Sequence, residues 1–355
     1  MSFITAREAA ELWEISQRRV AIFCAEGRVN GAQFMGNMWL IPSDSSKPSD
    51  ARSARFQPKT PAAAKPFLKW AGGKAQVLDN IRMKYPASMG GRINKYAEPF
   101  VGGGAVLFDI LSRYELSEVY ISDINRELIH TYKTVRDKSA ELVFMLKELE
   151  DVYLSADEEK RKEIFYANRK KYNSLKLSGD DSPELAALFI FLNRTCFNGL
   201  YRVNAKGEYN VPQGSYKNPC ICDEDNIKAV SEKLQFVEIV CSDYKESEKF
   251  IDDKTLAYFD PPYRPLNSSS NFTSYTQDGF GDKEQIELAK FIDKMSERGA
   301  YVIASNSDPK NVNEDDNFFD KLYSRHKIFR IGASRAINSV GKSRGKISEL
   351  LIASY

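Results

Sequence analysis

Apolar positions recur along this chain with two different spacings, and each change of spacing marks an element. "TAREAAELW" puts Ala9, Leu12 and Trp13 on one helical face behind Thr5 and Glu8, the pair of a capping box. "SQRRVAIFCAEGRV" predicts a second short helix, with Ser16 as N-cap, Val20, Ile22 and Phe23 as its apolar positions and Gly27 as C-cap. "AQFMGNMWLIP" then reads as two strand-like pieces that turn at Gly36-Asn37. Farther on, short apolar runs at 95–97, 119–122, 236–240, 256–259 and 301–304 alternate with helical stretches such as 127–149 and 283–298. Strands interleaved with helices predict an α/β fold built on a largely parallel sheet.

Composition divides this pattern. Residues 43–65 are rich in Ser, Pro, Ala, Lys and Asp and nearly free of large apolar side chains, which predicts a linker between a module at 1–42 and a body at 66–355. A hydrophobic content of 42%, with 12% aromatic, is enough to build real cores, and no internal repeat is visible. No apolar run approaches the roughly 20 residues of a membrane helix. The N-terminus carries acids where a signal peptide would be basic and then greasy, so the cytoplasm is the expected location. Five scattered cysteines suggest reduced, mostly packed thiols, and His130 and His326 do not sit at ligand spacing, so no metal is expected.

The net charge of +2 announces no polyanion by itself. Its distribution says more, because Arg325, Lys327, Arg330, Arg335, Lys342, Arg344 and Lys346 follow one another with no acid between them. Such a stretch suits a phosphate backbone, or is a solvated basic face.

Two glycine-rich stretches invite nucleotide readings that their spacing refuses. In "EPFVGGGAVLF" the third position of a dinucleotide fingerprint is Leu107, and in "FLKWAGGKA" a phosphate loop would need glycine at Leu68 and Ser or Thr at Ala75. What remains is a glycine turn that lets a ligand approach the backbone, flanked by Glu98 and, at the end of the next strand, Asp123. An acid there can hold a ribose diol, and two acids favour a ligand with cationic groups, such as S-adenosylmethionine. Alternatively, the turn only ends a strand and Asp123 only caps a helix. "LAYFDPPYRP" places Asp260 at the end of another strand, where open parallel sheets have their crevice. A carboxylate, proline carbonyls free to accept and the ring of Tyr263 together suit the exocyclic amine of a nucleobase.

Helix, turn, helix and a small wing, with Gln17, Arg18 and Arg19 opening the second helix, resemble the winged helix-turn-helix modules of excisionase and resolvase-associated proteins. There the start of the second helix enters the major groove. A small protein-interaction module would give nearly the same pattern. In the body, "FLKWAGGK", "EPFVGGG", "SDIN", "FLNRTCFNGLYRVNAKGEYNVPQG" and "DPPY", in that order, resemble DNA adenine-N6 methyltransferases of the Dam type. The resemblance runs from Pro66 to the C-terminus and includes "SRAINSVGKSRGKISELLIASY".

That resemblance implies a Rossmann-like methyltransferase sheet with an inserted, mostly helical target-recognition region at about 150–235. It implies transfer of a methyl group from S-adenosylmethionine to adenine N6 of a flipped base in double-stranded DNA, with GATC as target. Trp70, Lys74, Glu98, Phe100, Gly102, Gly104, Asp123, Asp243, Tyr244 and Asp260 would hold the cofactor. Asp260, Pro261, Pro262 and Tyr263 would form the catalytic motif, and Lys69, Phe197, Asn198, Leu200 and Arg202 would meet the DNA, joined by Arg18 and Arg19 of the N-terminal module. The family often has tyrosine where Phe197 stands, a change that keeps stacking and loses a hydroxyl. Cytosine N4, an RNA amine, or a regulator with an inactive methylase-like body are the rival readings, and a companion restriction endonuclease is a possible partner.

Overall fold

The computed structural model describes residues 2–13, 15–26, 28–29, 31–36, 38–48, 63–264, 280–334 and 346–355. The C-cap expected at Gly27, the Asn37 half of the expected turn and Arg335, Lys342 and Arg344 of the basic stretch lie outside them. The chain divides into two compact units, Met1–Pro61 and Ala62–Tyr355.

In the small unit, β1 (Phe3–Thr5) leads into α1 (Ala6–Leu12), followed by α2 (Gln17–Ala25), β2 (Gln33–Met35) and β3 (Met38–Pro42). The capping box is present: the Thr5 amide donates to Glu8 Oε2 at 2.7 Å and the Glu8 amide to Thr5 Oγ1 at 3.3 Å. Ser16 caps α2 through the Arg19 amide. Ala9, Val20, Phe23 and Ile41 form the centre of its core. β1, too short to show periodicity, pairs antiparallel with β3, giving the strand order β1-β3-β2.

The large unit is mixed α/β around a seven-stranded, mostly parallel sheet. Its elements are α3 (Leu78–Arg82), β4 (Lys95–Glu98), α4 (Ala105–Arg113), β5 (Glu118–Asp123), α5 (Arg126–Asp137), α6 (Ser139–Ser155), α7 (Glu158–Ser178), α8 (Pro183–Thr195) and α9 (Glu224–Leu234). Then come β6 (Val237–Cys241), β7 (Thr255–Phe259), α10 (Asp282–Glu297), β8 (Tyr301–Ser307), α11 (Phe318–Leu322), β9 (Lys327–Ser334) and β10 (Lys346–Ala353). All five expected strands are present, whereas the single helix expected at 127–149 is two, broken at Lys138 (φ −135°, ψ 36°). β9 and β10 were not anticipated.

The strand order is β6-β5-β4-β7-β8-β10-β9. The first five strands run parallel, and β10 is antiparallel to both its neighbours. From β4 the chain winds outward through β5 to β6, then returns to β7 on the other side of β4. This reversal makes β4 and β7 the switch point, where a parallel sheet opens a crevice at its carboxyl edge. β7 is buried along its whole length, as a central parallel strand must be. α8, apolar nearly all round, is buried against α5, α6 and α7 and delivers the irregular segment that follows it. Ordered packing of the body starts ahead of Pro66: Ala64 is buried, and the Asn226 side chain bonds both the amide and the carbonyl of Lys65.

Candidate active site

Asp260 follows β7 directly, at the switch point. Lys74 sits in a short 3-10 turn after Gly73, almost fully buried, and its Nζ donates to the Gly72 carbonyl at 2.6 Å and to Asp260 Oδ2 at 2.7 Å. The other carboxylate oxygen, Asp260 Oδ1, is buried and bonded to no described residue. Burial pushes the Asp260 carboxyl above its usual range, against the pull of Lys74. Lys74 Nζ also lies 4.9 Å from the centre of the Tyr263 ring.

The turn after Asp260 is fastened from three sides. The Tyr263 hydroxyl donates to Glu349 Oε2 of β10 at 2.9 Å. The Pro262 carbonyl accepts from Gln285 Nε2 of α10 at 3.1 Å, and Gln285 Oε1 in turn accepts from Asn306 Nδ2 of β8 at 2.9 Å. Arg264 is anchored between Asp282 and Asp316 at 2.6 and 2.7 Å. No described residue donates to the Pro261 carbonyl. Sequence reasoning missed Glu349, Gln285 and Asn306. Only Glu349 left a signal, as the lone acid in the apolar run "ISELLIA".

Glu98 ends β4 and is 2% exposed. Burial lifts its pKa to about 8, with a bond from the Tyr96 hydroxyl at 2.7 Å opposing and the charge of Asp260 adding to the rise. Asp123 ends β5 with both oxygens in use: Oδ2 accepts from the Gly102 amide at 3.2 Å and Oδ1 from the Asn125 amide at 2.9 Å. Burial raises its pKa while these amides hold it down. Asn125 then caps α5.

The glycine turn is also demanded by packing within the protein. Gly102 and Gly104 are left-handed (φ 47° and 72°), and a Cβ on Gly102 would lie 2.8 Å from Trp70 Cδ1. On Gly104 it would lie 2.6 Å from the Tyr132 hydroxyl. At these positions the missing side chains make room for the protein's own rings. Trp70 also stacks on Tyr201, centroids 5.8 Å apart at 21°. Phe100 stacks on buried Tyr244 (5.5 Å, 26°), and Asp243 caps the 3-10 turn that Tyr244 begins.

The residues expected to meet DNA gather in the large unit around the segment after α8. The Lys69 amide and carbonyl are both bonded to the Asn193 side chain, and its ammonium stands 3.9 Å above the Tyr216 ring. Phe197 is 51% exposed, and Asn198 has a φ of 54°, the only positive value among described non-glycine residues. Arg202 Nε donates to Asn210 Oδ1 at 2.7 Å, and Leu200 packs on the core edge. In the small unit, Arg18 is exposed on α2 while Arg19 lies over the Phe23 ring at 4.7 Å. The expected basic stretch is partly neutralised: Arg330 is held by Asp308 and Asp320, and Arg325 by Glu297.

The fold and this crevice define a class, and similarity to known proteins states which. Residues 70–337 match the D12 class N6 adenine-specific DNA methyltransferases, and the chain belongs to that family. It is 51% identical over 293 residues to the Type II methyltransferase M.MjaIII of Methanocaldococcus jannaschii, across 82% of this chain and 99% of that one. It is 35% identical to the Type II methyltransferase M1.LlaDCHI of Lactococcus lactis (82% and 95% covered) and to the DNA adenine methylase of Escherichia coli (80% and 93%). The reaction is therefore methylation of adenine N6 in DNA, and methyltransferases generally draw the methyl group from S-adenosylmethionine.

Proposed function

We propose that the enzyme methylates the adenine of GATC in duplex DNA after turning that base out of the helix into the crevice between β4 and β7. The observation that carries the chemistry of this reading is Asp260 Oδ1, a buried acceptor left open on a carboxylate whose other oxygen Lys74 already satisfies, while GATC follows from the resemblance of the segment at 191–214. Such an acceptor destabilises the protein unless a ligand donor meets it. Adenine N6 has two hydrogens, and two acceptors stand open, Asp260 Oδ1 and the Pro261 carbonyl; Gln285 already holds that of Pro262. Accepting both hydrogens frees the nitrogen lone pair from the ring, and the carboxylate stabilises the positive charge that develops on N6. Lys74 favours the ionised form of Asp260 against burial. Tyr263, its hydroxyl tied to Glu349, presents a fixed ring for the flipped base to stack on.

The residues also fit S-adenosylmethionine. Glu98 and Asp123, at the carboxyl ends of the neighbouring strands β4 and β5, form an acidic pair suited to cationic groups and a ribose diol. Trp70, Lys74, Gly102 and Gly104 would line the site, with Phe100, Asp243 and Tyr244 on the adenine side. When bound, this cofactor supplies a methyl group on positively charged sulfur. On the DNA, Lys69 and Arg202 would donate to guanine O6 and N7, Leu200 would meet a thymine methyl, and Phe197 beside Asn198 would fill the space the base leaves. Flipping costs a few kcal/mol, which these contacts offset. Arg18 and Arg19 would bring the N-terminal module to the major groove.

The test is methylation of a plasmid of known sequence, followed by cleavage with GATC nucleases of opposite sensitivity to adenine methylation and by mass spectrometry of the nucleosides. N6-methyladenine confined to GATC is the expected result. Methylation at another sequence would overturn the target and leave the chemistry standing.

A further inference from the structure

Asn193, near the end of α8 and 3% exposed, uses its side-chain amide three times. Its Oδ1 accepts from the Lys69 amide at 2.8 Å, and its Nδ2 donates to the Lys69 carbonyl at 2.7 Å and to the Gly199 carbonyl at 3.0 Å. The first two bonds imitate a strand pairing with the backbone at Lys69; the third holds the loop of Phe197, Asn198 and Leu200. Direct packing completes the join. Gly199 is left-handed (φ 64°), and a Cβ there would fall 2.5 Å from Lys69 Cβ. The loop thus closes onto Lys69 with no space to spare, and left-handed Asn198 stands at the contact.

We propose that Asn193 is a positioning residue that determines target specificity. Too buried to touch DNA, it fixes the register between Lys69 on one segment and Phe197, Leu200 and Arg202 on the other, so that contacts from two distant stretches of chain fall on neighbouring base pairs. Without its two N–H donors, the Lys69 and Gly199 carbonyls each lose a buried partner and the two segments can slide against each other. This inference rests on the reading of Lys69 and the loop after α8 as the DNA-reading surface.

The full-length enzyme and its Asn193→Ala, Lys69→Ala and doubly substituted forms are compared on a GATC duplex and on duplexes carrying each single-base change outside the adenine. The quantity read is the ratio of kcat/KM between GATC and each variant site. Lys69→Ala is expected to relax the ratio at one base pair, and Asn193→Ala at that same pair by on the order of tenfold. The double variant should be little worse than the worse single one, because the two act on the same contact. If Asn193→Ala lowers kcat/KM equally on every duplex, the residue is merely structural and the inference is overturned, while the DNA-reading role of Lys69 stands. If Lys69→Ala leaves all ratios unchanged, that role fails and the inference with it. Should Asn193→Ala not fold, Asn193→Asp, which keeps the acceptor and removes both donors, is read in its place. Failure of both to fold beside a folded Lys69→Ala would also overturn the proposal.

Discussion

Asp123 and Asp260 close β5 and β7, strands with only β4 between them, yet their oxygens are used in opposite ways. Asp123 spends both on backbone amides, one of them in the glycine turn, and so fixes the shape of the crevice. Asp260 spends one on Lys74 and keeps the other buried and open. The same residue type at equivalent strand ends serves as an anchor in one place and as a waiting acceptor in the other. The difference lies in what the following residues offer: amides after Asp123, prolines without them after Asp260.

That contrast predicts a hierarchy of effects. Asp260→Asn keeps the shape and removes the charge, and kcat should fall by about 100- to 1,000-fold or more while calorimetric affinity for S-adenosylmethionine stays within a few fold. Turnover near the wild-type rate would break the comparison. Asp123→Ala should do the reverse, lowering thermal stability and cofactor affinity because two partly buried amides lose their acceptor at about 0.5–1.5 kcal/mol each. Its kcat at saturating cofactor should suffer far less than that of Asp260→Asn. Phe197→Ala, outside both strand ends, is a control: loss of about 1–3 kcal/mol of stacking should weaken 2-aminopurine fluorescence on DNA binding and leave cofactor binding alone.

The last expected effect is a pH dependence. Glu98 is ionised in the unfolded chain above its ordinary carboxylate range but in the folded protein only above about 8. Between these values the folded form holds the extra proton, so this residue's contribution to stability is full at acid pH and is lost as pH rises towards about 8. Chemical denaturation across that window should show a decline that Glu98→Gln flattens. A cationic cofactor would favour ionised Glu98, so its binding should release a proton, visible as a buffer-dependent heat.

Much of this organisation was legible in the sequence because it is local. The five parallel strands are short apolar runs, and Asp260, Glu98, Asp123 and the glycine turn stand out by residue type and place. What was hidden depends on contacts across the chain. Lys74 could be assigned to the crevice, but its bond to Asp260 joins segments far apart, and the packing at Gly102 and Gly104 was hidden because Trp70 and Tyr132, which fill the space there, come from other segments. β9 and β10 went unseen because the basic side chains around them read as a solvated face; their strand character comes from pairing with each other and with β8. Asn193 carries no signal of its own in the sequence, because only the fold brings the Lys69 and Gly199 backbone to its side chain.

The position of β10 has a consequence for how the enzyme comes into being. Tyr263 and its acceptor Glu349 are 86 positions apart, and β10 lies between β8 and β9 in the sheet. A nascent polypeptide can emerge from the ribosome with its first five strands made, yet until 346–353 follow, β8 has a raw edge and the Tyr263 hydroxyl lacks this anchor. The proposed site is therefore completed late in synthesis, and translation products that stop before Glu349 are expected to methylate DNA poorly, which a truncation series assayed for N6-methyladenine checks.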